Sequence, residues 1–421
     1  MALKLKFFGG AQEVGRSAIM LEDGESKRRF MLDFGIKIDH IIDYPIDIPN
    51  IDAAILSHAH LDHSGFVPAL YNDQKIPCFG TPPTFELSIL LIKDSLKIEK
   101  RRHLKSNFHN KQINEFKNKF IPLNYNKTIP FGNYDITFYD AGHISGSAIT
   151  KIQKQVGSDK RIIVYTGDFK LQSQMMHNGA EIIKSDILII ESTYANREHE
   201  NREALIKKFI EEIKETLANK GTVLIPAFAV GRSQEILTIL YKNNLIESTY
   251  FDGMGKDAAG IVLKYPDYIN NAELLKKAMD HVNIIDNVMD KKEALQNPSI
   301  IVTTSGMLSG GPVLYYITRL NKNSHILLTG YQTEKTNGRT LLENGYIIID
   351  NSKIKIPQKV SFYDFSAHAG KSDLFDYAKR SEPQIIICVH GDENNTQLFA
   401  DELKDLGYIS YAPKIGESIN L

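Results

Sequence analysis

The stretch Ala53-Ala54-Ile55-Leu56-Ser57-His58-Ala59-His60-Leu61-Asp62-His63-Ser64-Gly65 decides how the chain is read: an apolar run enters H-x-H-x-D-H. Three imidazoles and a carboxylate this close together bury polarity to no purpose unless a cation gathers them. Neutral imidazole and carboxylate are ligands that suit zinc. Alternation at a strand end sends His58 and His60 to one side, and Asp62 and His63 then fall on the turn that follows. A merely solvated polar loop is the plainer reading, but it does not suit a motif that follows Ala53–Leu56. Ligands placed where a buried strand ends are held rigidly.

The same grammar recurs along the chain. From Leu3 to Phe34, short apolar runs and glycine turns read as a β-meander that delivers Asp33. Gly65 to Leu70 begins a helical pattern, and Phe85 to Lys105 has helical spacing. Tyr134–Tyr139 runs into Asp140-Ala141-Gly142-His143, Arg161–Tyr165 into Thr166-Gly167-Asp168, and Asp186–Ile190 into Glu191. From about Ala195 helices alternate with apolar strands such as Thr222–Ala227 and Ser299–Thr304, the order of an α/β parallel-sheet domain. After Phe365 the first grammar returns: Ser366-Ala367-His368-Ala369-Gly370 precedes a helix, and Gln384–Val389 ends in His390. The expected organisation is one domain over 1–194 and 366–421, interrupted by another over 195–365.

At 421 residues the chain exceeds what one core usually serves, and its apolar (42%) and charged (24%) contents are those of a folded protein. No stretch approaches the ~20 apolar residues of a membrane span, and the N-terminus lacks the core of a signal peptide, so a cytoplasmic protein is expected. Cys78 and Cys388 read as buried thiols, not a disulfide. A net charge of −1 gives no global attraction to a polyanion, so a nucleic-acid partner must be held locally. The best local candidate is Lys93–Lys119, with Lys97, Lys100, Arg101, Arg102, Lys105, Lys111 and Lys117; a solvated helix face is its plainer reading.

If His58, His60 and His143 surround one ion and Asp62, His63 and His390 a second, with Asp168 shared, each ion has four ligands. Two zinc ions ~3.5–4 Å apart could then convert a shared water to hydroxide near neutral pH. The other histidines, among them His40, His177 and His281, are read as surface or packing residues.

Taken together, these residues resemble the metallo-β-lactamase-fold β-CASP nucleases, in the short prokaryotic form of the cleavage-and-polyadenylation-factor branch. The resemblance covers nearly the whole chain. It rests on Gly15-Arg16-Ser17 after Glu13-Val14, Asp33, the His58–His63 motif, His143 and Asp168, with Glu191, His368 and His390 as the three added β-CASP motifs. It implies an α/β fold, a four-layer αβ/βα sandwich with two zinc ions at the edge between its sheets, and an inserted domain forming one wall of a substrate cleft. Asp33 would brace the ligand loops. RNA-cleaving members resemble this chain at His390, where the DNA-repair branch typically has valine, so RNA is the expected partner. A homodimer is expected from the resemblance alone. The additional C-terminal domain usual in RNase J and the N-terminal KH domains of larger archaeal relatives are not expected here.

The implied chemistry is phosphodiester hydrolysis, with Asp62 and Asp168 orienting the attacking hydroxide. His368, oriented by Glu191, is the candidate proton donor or phosphate clamp. Ser305-Gly306, Ser309-Gly310 and Gly330 could present N–H groups to phosphate. Arg232 and Arg339 read equally well as phosphate contacts or as surface ion pairs. The rivals are a thioester or lactone hydrolase of the same superfamily and an inactive RNA-binding subunit. The first needs neither the inserted domain nor Glu191 and His368, and the second is at odds with a ligand set in which nothing is missing.

Overall fold

A computed structural model describes residues 3–38, 42–156 and 159–421; His40 lies outside the described residues. The chain divides into two compact units, residues 1–198 with 367–421, and residues 199–366.

The first unit contains two seven-stranded sheets. One runs in the order Ser418–Asn420, Leu3–Gly9, Ala18–Asp23, Arg29–Leu32, Ala53–Ile55, Cys78–Gly80, Phe120–Pro122. The other runs Ile409–Tyr411, Ile385–Val389, Ile187–Glu191, Asp159–Tyr165, Ala148–Val156, Tyr134–Asp140, Thr128–Phe131. Period-two alternation builds the layers. Ile187 and Ile189 join Leu5, Phe30 and Ile55 in a core between the sheets, whereas Leu188 and Ile190 join Leu374, Tyr377 and Phe399 beneath the helices. The outer face of the first sheet packs Met20, Met31 and Ala54 against Ile92, Ile113 and Phe116. Strands sandwiched in this way are buried on both sides, which is why they read as continuous apolar runs. Cys78 and Cys388 are buried in different layers and are free thiols.

Two elements differ from the sequence reading. The turn carrying Asp62 and His63 is a single α-helical turn, Leu61–Ser64, followed by a 3₁₀ segment, Val67–Tyr71. Pro68 lies in the first turn of this segment, which ends at Tyr71 without becoming a regular α-helix. The next helix starts earlier and stops earlier than its spacing suggests, spanning Pro82–Arg101, with His103 at φ 56° in the left-handed region beyond its end. The first three strands pair antiparallel in sequence order, as a meander.

The second unit is built on six parallel strands in the order Asn283–Ile284, Thr249–Asp252, Ile300–Thr303, Val223–Pro226, His325–Leu328, Lys359–Phe362. Leu224, Ile301 and Ile326 pack with Val313, Tyr316 and Leu341 in its core. Among the described residues, no helix is long and apolar enough to cross a membrane.

Candidate metal centre

The ends of neighbouring parallel strands in both sheets of the first unit deliver the site. In the second sheet Tyr165 pairs with Ile189 and Glu191 with Val389, so Asp168, Glu191 and His390 leave the same end of three adjacent strands. In the first sheet Leu32 pairs with Ile55, and the chain beyond them carries Asp33 and the His58–His63 segment. Close backbone packing sets these loops. A Cβ on Gly35 would meet the Asp62 carbonyl oxygen at 1.8 Å, so only glycine lets the Asp33 loop lie against the helical turn. Gly142, at φ 67°, would place a Cβ 2.5 Å from the Asn178 carbonyl oxygen; beyond it Ser147 Oγ accepts the His143 and Ile144 amides at 3.1 and 3.2 Å.

Three groups of ligand atoms form, each lying within 4.8 Å: His58, His60, His143 and Asp168; Asp62, His63, Asp168 and His390; and Asp168, Glu191 and His368. Asp168 belongs to all three. In the first group His60 Nδ1 lies 3.1 Å from both His58 Nε2 and His143 Nε2. That is close to the about 3.3 Å edge of a tetrahedron whose nitrogens bind zinc at 2.0–2.1 Å. In the second group His390 Nδ1 is 2.9 Å from Asp168 Oδ1, and His63 Nε2 is 3.3 Å from Asp168 Oδ2.

The outer ring atoms of His58, His63 and His143 are anchored, which fixes their inward nitrogens. His143 Nδ1 donates to the Ala367 carbonyl oxygen (2.9 Å), and His63 Nδ1 to Asp33 Oδ2 (2.7 Å). His58 Nδ1 contacts Ser57 Oγ at 3.1 Å. Asp33 also accepts the Ser57 amide (2.7 Å), the Ser57 hydroxyl (2.6 Å) and the Tyr165 hydroxyl (2.7 Å). Glu191 accepts from His368 Nδ1 (2.8 Å) and from the Phe169 amide (2.8 Å). Ser57, Tyr165 and the Ala367 carbonyl were not singled out in the sequence reading. Ser57 at least adjoins the motif, whereas Tyr165 looks like one more strand residue.

Burial sets the protonation of the first group and carboxylates that of the second. Burial holds the pKa values of His58 and His143 well below the ordinary imidazole value and lowers that of His60, so these rings are neutral and ready to ligate. Burial also opposes protonation of His63 and His390. There Asp168 leads the groups that outweigh it, helped by Asp62 at both rings and by Asp33 at His63; the pKa of His63 is pushed well up and that of His390 up to about 10. His368 follows the same pattern, with Glu191 and Asp168 overcoming burial. The site is closed on most sides: Asp62 keeps 30% and His368 20% of its side chain exposed, while His58, His63 and Asp168 are buried.

This donor set suits a cation. His63 Nε2, Asp168 Oδ1 and both ring nitrogens of His390 are buried without a well-aligned hydrogen bond. They are held instead by close charge contacts, His390 Nδ1 to Asp168 Oδ1 at 2.9 Å, His390 Nε2 to Asp62 Oδ2 at 3.4 Å and His63 Nε2 to Asp168 Oδ2 at 3.3 Å. One ligand atom from each of Asp62, His63, Asp168 and His390, gathered within 4.8 Å, makes the four-membered N/O donor set that zinc takes.

The residues expected to contact substrate lie in the second unit. Ser305, Gly306, Ser309 and Gly310 follow the strand Ile300–Thr303, Gly330 follows His325–Leu328, and Arg232 begins the helix Arg232–Lys242. Adjacent parallel strands bring these loops to one end of the sheet, where Gln332 Nε2 donates to the Gly306 and Gly330 carbonyls at 3.1 and 2.7 Å. Both arginines form ion pairs. Arg339 pairs with Glu343 on an exposed helix face, but the Arg232–Glu235 pair is buried, not superficial, because Arg232 folds back along its own first turn.

Comparison with known proteins matches residues 20–196 to the metallo-beta-lactamase superfamily domain, 233–341 to the Beta-Casp domain and 353–413 to the Zn-dependent metallo-hydrolase RNA specificity domain. The chain is 39% identical to the "Probable RNase MJ4" of Methanocaldococcus jannaschii, over all of both proteins. It is 33% identical to the "RNase aCSPSF2" of Saccharolobus solfataricus, over 99% of this chain and 85% of that one. A solved structure of a protein of unknown function from Enterococcus faecalis V583 shares the fold over the whole of both chains, with a TM-score of 0.64 at 15% identity. With every part of the fold and a gathered cluster of metal-ligating side chains in place, the chain belongs to the metal-dependent β-CASP ribonucleases of the metallo-β-lactamase fold, in their archaeal branch.

Proposed function

We propose that this protein hydrolyses RNA phosphodiester bonds at a centre holding two zinc ions. His58, His60 and His143 would ligate one ion, Asp62, His63 and His390 the other, and Asp168 both. The observation that carries the reading is the position of the buried Asp168, common to both groups and within reach of the ring nitrogens of each. Zinc bound there supplies a water of lowered pKa and Lewis-acid neutralisation of phosphate charge. The protein's own part is positional. Asp62 and Asp168 accept hydrogen bonds from the attacking water and aim it at phosphorus. His368, charged through its contact with Glu191 and with Nδ1 committed there, donates a proton from Nε2 to the departing ribose oxygen. Glu191 holds the ring and keeps its pKa raised.

On this reading residues 1–194 and 366–421 form the metallo-β-lactamase domain and 195–365 an inserted β-CASP domain that contributes phosphate contacts from Ser305, Gly306, Ser309, Gly310 and Gly330. Endonucleolytic and 5′-to-3′ exonucleolytic cleavage are both compatible with the site. The enzyme would work in the cytoplasm. A homodimer would need no shared ligand, because one chain supplies every ligand side chain.

Two substitutions test the assignment. His60→Ala should lose metal and RNA cleavage together. His368→Ala should keep its metal while cleavage falls ~10²–10⁴-fold. A His368→Ala protein that cleaves RNA at the wild-type rate would refute the donor role, and intact RNA in the presence of the fully loaded wild type would favour the small-molecule hydrolase.

A further inference from the structure

Beyond the metal centre, the first unit carries an unbalanced basic surface. Between Lys93 and Lys119 nine lysines and arginines face three acids, an excess of six positive charges in a chain of net charge −1. The segment comprises the end of the helix Pro82–Arg101, a connecting loop, and the helix Asn110–Lys119. Lys97, Lys100, Arg101, Arg102, Lys105 and Lys111 are all exposed, whereas Glu99 is buried and accepts the Ser106 hydroxyl.

A solvated helix face is the competing explanation, and the other helices show what that looks like. Arg339–Glu343, Arg380–Asp376 and Lys404–Asp401 each pair a cation with an acid on the same helix. Among the described residues, none of the nine cations of the basic segment has such a partner. Instead, burial and the neighbouring Lys93 ammonium lower the pKa of Lys117, the mark of cations crowding one another. The helix dipole accounts for Lys100 and Arg101, and for Lys117 and Lys119, each pair in the last turn of its helix. It does not account for Lys93, Lys97, Arg102, Lys105 or Lys111.

The surface is anchored in the outer core and connected to the site. Phe108, Ile113 and Phe116 anchor it in the outer core. At the other end of the helix Pro82–Arg101 the Thr81 and Thr84 hydroxyls donate to the Gly146 carbonyl at 2.7 and 2.8 Å, three residues beyond His143. The helix has 20 residues, so the basic end stands ~25 Å along it from the ligand loop.

We propose that this hairpin is a phosphate-backbone docking surface that holds an RNA strand away from its cleavage point. The proposal rests on the ribonuclease reading. Phe108 and Phe116 are buried and cations dominate the exposed face, with only His103 and His109 as exposed rings, so binding here should be weakly sensitive to sequence and strongly dependent on salt.

The test compares the zinc-loaded wild type with Lys100→Glu/Arg101→Glu and with a control of equal charge change, Lys276→Glu/Lys277→Glu, on an exposed helix face of the other unit. Binding of a labelled 30-nucleotide and a 6-nucleotide RNA is followed by fluorescence anisotropy across a salt series, alongside cleavage. The expected result is that K100E/R101E weakens binding of the long RNA by ~10-fold, with a salt slope shallower by ~0.7 per lost phosphate contact. KM should rise while kcat holds, and the 6-nucleotide RNA should bind the wild type and this variant alike. Equal losses in both double variants, or no loss in either, would overturn the docking surface. A wild type that binds long RNA through this surface without cleaving it would refute the ribonuclease reading alone; one that binds no RNA would refute both.

Discussion

Asp23 and Asp168 are both carboxylates sunk into the first unit, 1% and 2% exposed, and they are held in opposite ways. Asp23 is closed. It accepts from the Ser26 hydroxyl (2.6 Å), the Tyr134 hydroxyl (2.7 Å), the Glu25 amide (3.0 Å) and the Lys154 ammonium (3.0 Å), so its charge is balanced and its oxygens are satisfied. Asp168 sits among imidazoles, with His390 Nδ1 2.9 Å and His63 Nε2 3.3 Å from its oxygens but no well-aligned hydrogen bond at Oδ1. A buried carboxylate whose surroundings complete it is part of the scaffold. One gathered with imidazole nitrogens in a set of ligand atoms is suited to a cation.

The difference predicts a double dissociation. Asp168→Asn should have the largest effect, because one substitution touches both ligand groups: bound zinc should fall below one ion per chain and RNA cleavage by at least ~10³-fold. Chelation should lower the melting temperature of the wild type but not of this variant, since a ligand that binds only the folded state stabilises it by mass action. A variant that retained its metal would dissolve the distinction between the two carboxylates.

Asp33 lies between the two cases, satisfied by Ser57 and Tyr165 yet holding His63. Asp33→Ala should weaken metal binding by ~10–100-fold, read by competition with a chromogenic chelator. Unchanged affinity would make Asp33 scaffold alone.

Asp23→Asn should leave zinc content and cleavage untouched while costing ~1–3 kcal/mol in chemical denaturation, because Lys154 keeps only its exposed partner Glu25 at 3.0 Å. Burial alone would raise the pKa of Asp23, but bonds from Ser26, Tyr134 and Lys154 outweigh it and hold it well below the carboxylate range. A depressed folded-state pKa means that the contribution is fully present above the unfolded value of ~3.9 and is lost as pH falls. The gap between wild type and variant should therefore be constant near neutrality and close below about pH 4. A gap that widened on acidification would reverse the assignment.

The contrast also explains what the sequence revealed. Asp168, Glu191 and His390 each follow a run of apolar, mostly β-branched residues, and that punctuation is local, so the candidate site residues and the strands that carry them are read from the same signal. The expectation of an interrupted organisation rests on the same kind of signal, the change from strand-ending acids to alternating helices and parallel strands near Ala195. The supporting contacts were not legible. Tyr165 reaches Asp33 across 132 positions and His143 reaches the Ala367 carbonyl across 224, and nothing in the spacing of a strand tyrosine or a backbone oxygen announces such a partner. Asp23, at the end of a strand, looks in sequence like any turn acid; its contacts with Tyr134 and Lys154, 111 and 131 positions away, are what make it structural. The basic hairpin was visible as composition, but its lack of ion pairs is a property of the folded surface.

The most direct measurement is a zinc titration of chelated wild-type protein, following bound metal and cleavage of end-labelled RNA in the same samples. The account predicts that binding saturates at two ions per chain, and that cleavage stays near background through the first equivalent and rises with the second. Full cleavage in the presence of chelator, or intact RNA with both equivalents bound, would contradict it.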